Sequence, residues 1–281
     1  MQGPNITRRD FIKFFGAASV TGLSSGLASE LADAESLDRY SKLVDTFKCI
    51  GCRRCMSACK RENKLPPYDI PESLVRDMDG TTYTVVNFKK SKSDAEFGKF
   101  VKWQCQHCIK PACAGVCPVK AITKNMVTGA VIVDEKKCIG CRYCYQACPY
   151  KVPRFDFDKR VTRKCHLCYP RLPRFKPACV TACPVEAIEY DYRNLLLKKA
   201  RQRAQTMRGY VLGEHEAGGT DVITILHAPP QEMGIIVAPK KVVNQDLDKI
   251  RITFSGVGAA TAVVGMLYLY SQITKDKDDD K

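Results

Sequence analysis

Sixteen cysteines constrain this chain of 281 residues more than any other feature, because they are neither scattered nor left with an odd member. They fall in four groups of four. The first is CIGCRRCMSAC, with Cys49, Cys52, Cys55 and Cys59, and the third is CIGCRYCYQAC, with Cys138, Cys141, Cys144 and Cys148. The second holds Cys105, Cys108, Cys113 and Cys117 and runs out as KPACAGVCPVKAI. The fourth holds Cys165, Cys168, Cys179 and Cys183 and runs out as KPACVTACPVEAI. The order A-B-A-B marks an internal duplication.

Three chemistries compete for such a pattern. An even count in an exported chain would suit disulfides. Zinc would use two-cysteine knuckles in Cys₄ sites and has no need of a third cysteine two residues further on. A cubane does, since three thiolates at CxxCxxC spacing wrap one of its faces and a fourth arrives from elsewhere. The bacterial run CxxCxxCxxxCP sends its last cysteine to the other cluster of a pair. Group three matches it in full through Pro149, and group one has Lys60 in place of the proline. Groups two and four widen the gap before the third cysteine but keep CxxxCP, ending at Pro118 and Pro184. The spacing points to four [4Fe–4S] clusters rather than disulfides or a structural zinc module. His107 and His166, inside the paired cysteines, are expected to pack or hydrogen-bond near clusters and tune them. His215 and His227 are expected at the surface.

The formal charge of +15 agrees with this chemistry. A cluster with its four thiolates carries about −2, so four of them leave the loaded protein near +7. The basic residues track the cysteine groups and no nucleic-acid motif appears, which argues against a nucleic-acid partner.

Both ends carry addresses. Thr7-Arg8-Arg9-Asp10-Phe11-Ile12-Lys13 precedes a mildly apolar stretch, and Ala32-Asp33-Ala34 suits cleavage. Residues 1–34 thus resemble a twin-arginine signal peptide, a route that moves folded proteins. Ile252–Thr274 contains no charge. As a helix its 23 residues rise about 34 Å, against a hydrocarbon core of about 30 Å. Arg251 and Lys275 bracket this expected transmembrane anchor.

Between the ends, the pattern predicts an α+β fold: a duplicated bacterial ferredoxin-like core over 44–192, with 60–104 inserted in the first half. Thr128-Gly129 before the apolar run Ala130–Val133 reads as a hairpin joining groups two and three. Thr81–Phe88 and Val222–Leu226 read as strands, and Asn194–Met207 as an exposed helix. Residues 193–250 are expected to strap the core to the anchor or to a partner.

The whole pattern resembles the iron–sulfur subunits of membrane-bound redox complexes, including those of formate dehydrogenase, dimethyl sulfoxide reductase and periplasmic nickel–iron hydrogenases. Export signal, sixteen cysteines and anchor together look closest to the hydrogenase and high-molecular-weight cytochrome complex subunits. Gly213–Thr220, GEHEAGGT, is similar to a stretch of that subgroup. The resemblance implies nested cluster pairs. Cys49, Cys52 and Cys55 would take Cys183, and Cys165, Cys168 and Cys179 would take Cys59. Cys138, Cys141 and Cys144 would take Cys117, and Cys105, Cys108 and Cys113 would take Cys148. The hairpin linker supports the inner pair independently.

No nucleotide fingerprint, nickel site or room for a molybdopterin pocket is present, so no catalytic residue is assigned. The expected function is passage of single electrons between a periplasmic catalytic or cytochrome subunit and an integral membrane quinone-reactive or haem subunit. An alternative adds a contribution to a quinone site. The expected location is the periplasmic side of the bacterial inner membrane.

Overall fold

The duplication of the cysteine groups extends to the strands around them. In the computed structural model, which describes residues 39–92 and 98–239, each A group is entered from a strand and each B group is left by one. Strand β1 (Tyr40–Asp45) leads to group one, and β8 (Ile188–Tyr192) leaves group four. They pair antiparallel, Val44 opposite Ile188 and Tyr40 opposite Tyr192. Strand β4 (Ile122–Lys124) leaves group two and β5 (Val131–Val133) enters group three, with Ile122 opposite Val133. One strand pair is a local hairpin and the other brackets all four cysteine groups. Their ends touch, since the Tyr40 N–H donates to the Val127 carbonyl at 2.9 Å.

Each B group is also preceded by a hairpin. Strands β2 (Thr84–Lys90) and β3 (Gly98–Gln104) run into Cys105, and β6 (Arg154–Asp156) and β7 (Val161–Arg163) run towards Cys165. The stretch 60–104 therefore contributes a hairpin with a shorter counterpart in the second half. Short helices carry Cys55 and Cys59, Cys113, Cys144 and Cys179: α1 (Arg54–Glu62), α2 (Ala112–Gly115), α3 (Tyr143–Ala147) and α4 (Ala178–Thr181). Helix α1 packs on α4 and α2 on α3. Proline after Cys148 follows the end of α3, because its ring and missing N–H oppose a further turn. Lys60 lets α1 continue past Cys59, and its ammonium lies 4.3 Å from the centre of the Tyr68 ring.

Two strands of the stretch after Tyr192 join the main sheet. Strand β10 (Val222–Leu226) pairs parallel with β1, Lys42 opposite Val222, and β9 (Tyr210–Leu212) pairs antiparallel with β10. The sheet order is β8-β1-β10-β9. Every residue of β10 is buried, as a strand covered on both faces requires. Helix α5 (Arg193–Met207) supplies one cover. It packs Leu196, Leu197, Ala200 and Ala204 against Leu43, Ile223 and Ile225. The expectation of an exposed helix is corrected: only one face, including Leu195, meets solvent.

Asp221, fully buried just before β10, fastens several elements. It pairs with Arg39, with Lys124 of β4 and with Arg193 of α5, and accepts from the Ser41 hydroxyl of β1 at 3.0 Å. His227 is buried, contrary to the surface position expected of it, whereas His215 is exposed. Among the described residues no helix is long and apolar enough to cross a membrane. The twin-arginine segment, residues 1–34, and the apolar stretch 252–274 lie outside the described residues.

Candidate iron–sulfur cluster sites

The two CIGC loops adopt one backbone path. Gly51 and Gly140 both have φ of +70°, and a Cβ there would stand 2.5 Å from the Phe100 ring and 2.6 Å from the Arg160 carbonyl oxygen. Glycine is required by both conformation and space. Two residues on, Arg53 and Arg142 take the left-handed conformation and cover Phe100 of β3 and Phe155 of β6. The hairpin before each B group thus props the loop of the A group ahead of it.

Cysteines distant in sequence share cavities. One cavity is lined by Cys49, Cys52, Cys55 and Cys183. A second is lined by Cys59, Cys165, Cys168 and Cys179, with His166 in its wall. Cys105, Cys108, Cys113 and Cys148 form a third group: Cys113 feels the other three, and Cys108 feels Cys105 and Cys148. Cys117, Cys138 and Cys144 pack in one apolar cluster with Ile122 and Val131, and Cys113 joins the same cluster. Cys141 acts on Cys144 from the exposed rim of its loop.

The chemistry of these sites fits a multi-iron body. Four thiolates on one zinc at about 2.3 Å stand within about 4 Å of one another. Among the described residues no group of three or more His, Cys, Asp or Glu side chains is set to hold a single ion. Thiols ringing a cavity suit a cubane, which puts an iron behind every sulfur. Backbone donors already face the sulfurs: the N–H groups of Ala121 and Ala187 donate to Cys117 and Cys183, both at 3.2 Å. The Thr162 and Leu167 N–H groups donate to Cys138 and Cys165, both at 3.4 Å. Such bonds stabilise a thiolate and are one lever on cluster potential.

Burial raises several of the thiols. It pushes Cys55 up to about 11 and Cys168 up to about 12, so without metal these groups hold their protons. Cluster binding must release them. Cys179 is shifted the other way: burial works against its thiolate, but Lys42 and Lys102 bring it below the usual thiol range.

Sequence reasoning missed the buried lysines. Lys42 is fully buried, with its ammonium 3.8 Å from the Cys179 sulfur. Lys102 donates to the Thr84 hydroxyl and the Gln104 side-chain carbonyl. Lys164 donates to the carbonyls of Val131 and Cys165. None of the three pairs with a carboxylate among the described residues, an arrangement costly for a buried cation unless the site itself supplies negative charge. A duplicated sequence offers a weak clue, since lysine stands where its repeat partner is neutral: Lys102 aligns with Thr162, three residues before each CxxC pair. His107 accepts from the Val131 N–H at 2.9 Å, and burial keeps its pKa well below the ordinary value.

Residues 96–193 match a family described as a 4Fe-4S dicluster domain, and residues 48–122 match a second family of the same description. Hydrogenase-2 operon protein HybA of Escherichia coli O157:H7 is 30% identical over 285 residues, covering 82% of this chain and 84% of HybA. The nitrate-inducible formate dehydrogenase iron–sulfur subunit of Escherichia coli K12 is 30% identical over 295 residues, 97% of either protein. The protein belongs to the 4Fe-4S ferredoxin-type subunit family. A shorter likeness, 36% over 162 residues, links it to the B subunit of anaerobic dimethyl sulfoxide reductase of Escherichia coli K12, covering 57% of this chain and 77% of that subunit. As a ferredoxin-type subunit, the protein carries 4Fe–4S clusters and is an iron–sulfur electron-transfer subunit.

Proposed function

We propose that the protein holds four [4Fe–4S] clusters in two nested pairs and relays single electrons between a catalytic redox subunit and a membrane quinone-reactive or haem subunit. The observation that carries this reading is the sharing of cavities by cysteines from opposite ends of the core. Cys183 joins Cys49, Cys52 and Cys55 in one wall, and Cys59 joins Cys165, Cys168 and Cys179 in the other. By the same duplication, Cys117 would complete the set of Cys138, Cys141 and Cys144, and Cys148 that of Cys105, Cys108 and Cys113. The clusters supply reversible one-electron exchange. The chain holds them apart from water, donates hydrogen bonds to their sulfurs and places positive charge beside them.

The two sets containing a CIGC loop reach the surface, through exposed Cys52 and Cys141. Beside them Ile50 and Ile139 are 59% and 63% exposed, apolar groups that a docked partner would cover. Electrons would be exchanged with partners there and handed along the buried sets between. The relatives named as hydrogenase, formate dehydrogenase and dimethyl sulfoxide reductase components support assembly into a complex of this kind. The export signal and the apolar segment 252–274 favour the periplasmic face of the inner membrane, with one C-terminal anchor and transport by the twin-arginine route.

Metal analysis tests the central claim. Anaerobically purified protein should be brown, with about 16 iron and 16 sulfide per chain. Colourless protein with stoichiometric zinc would overturn it.

A further inference from the structure

Lys102 lies between two cluster sites. Its side chain lines the cavity of Cys49, Cys52, Cys55 and Cys183 and also that of Cys59, Cys165, Cys168 and Cys179. It is 3% exposed, and the Thr84 hydroxyl and Gln104 side-chain carbonyl hold its ammonium in place. Lys42, by contrast, lines only the second cavity and points at Cys179. Around the inner sites the buried cation is Lys164, which acts on Cys113 and Cys148 of one set, and no lysine stands at the position matching Lys102. The matching residue there, Thr162, meets Cys138 through its N–H and Cys144 through its hydroxyl, without charge.

We propose that Lys102 is a positioning residue shared by the outer cluster pair, whose fixed charge makes both members easier to reduce while leaving the step between them nearly level. The inference rests on the ligand sets proposed above. Each reduction adds one negative charge to a site, and a buried cation favours that charge through a low dielectric. A cation beside only one member would turn it into an electron trap relative to its neighbour. A cation facing both shifts the two together. When one electron leaves the reduced member and arrives at the oxidised one, no charge is gained or lost around Lys102. Lys42 then sets the difference between the members, because it faces one alone.

Redox titration of the intact loaded protein, followed by electron paramagnetic resonance, distinguishes these roles. In Lys102→Gln two of the four midpoint potentials should fall together, each by at least tenfold in the reduction equilibrium, about 59 mV for a one-electron couple. Lys102→Arg should restore both. Lys42→Met should lower one of the same two and leave the other. Unchanged potentials in Lys102→Gln, or a fall in a single one, overturn the inference. Should Lys102→Gln fail to load iron, Lys102→Arg and Lys42→Met still decide the matter: two potentials moving together in Lys42→Met would remove the distinction. Iron content serves as the separate check. Wild-type protein without about 16 iron would sink the four-cluster reading itself, whereas full iron with unmoved potentials sinks only the role of Lys102.

Discussion

At the scale of single residues, charge is the dominant problem the core has to solve. Anionic clusters and buried lysines compensate each other around the cysteines. At Asp221 the signs are reversed: one carboxylate, without solvent exposure, faces Arg39, Lys124 and Arg193. Removing it would leave three cations in a poorly hydrated site, and losing one partner of a buried ionic network typically costs about 3–5 kcal/mol. Asp221→Asn keeps the shape and should lower stability on that scale, measured as a shifted denaturation midpoint with cluster absorbance as probe. Ser41→Ala deletes one hydrogen bond to the same carboxylate and should cost about 1 kcal/mol. Equal effects would show that the charge is unimportant. Residues of this kind were barely legible in the sequence. Lys42, Lys102 and Lys164 are three of 45 basic residues, and only the fold shows which of them turn inwards. The cysteines were legible because a cubane imposes its spacing directly on the chain.

Secondary-structure elements divide along a similar line. The β4–β5 hairpin was legible because its two strands lie a few residues apart, with Thr128-Gly129 between them. Val222–Leu226 was legible as a strand but not as the parallel neighbour of β1, since local pattern carries no information about a partner 180 residues away in sequence. Helix α5 misled for another reason. Its buried stripe is partly made of Ala200 and Ala204, which read as neutral among the surrounding lysines and arginines. The resulting prediction is specific. Ile223→Ala, beneath α5, should destabilise by about 2–5 kcal/mol through lost burial and a residual cavity. Leu195→Ala on the exposed face of the same helix should stay within about 0.5 kcal/mol. A small effect for Ile223→Ala would mean that residues 193–239 add little to the core. Lys60, standing where group three has proline, proves to be a helix extender: without proline, α1 simply runs on.

For the whole molecule, the proposed location makes its own prediction. Replacing Arg8 and Arg9 by lysine should leave folded, iron-loaded protein in the cytoplasm, seen by fractionation and iron assay. Normal export would remove the twin-arginine reading. That test gains interest from the pairing of β1 with β8. Cys183 is synthesised 128 residues after Cys55, and β10 later still. At cellular rates of translation this delay is on the order of ten seconds. Throughout it, the first cysteine loop exists without the cysteine that shares its cavity, and β1 lacks both neighbours. The inner ferredoxin unit, made of nearby segments, can assemble while the ribosome is still working, and the outer one must wait for the chain to finish. Order of synthesis and order of maturation therefore run in opposite directions. On the twin-arginine reading, the earliest segment made is a transport address that must stay unread until the latest parts of the fold are in place.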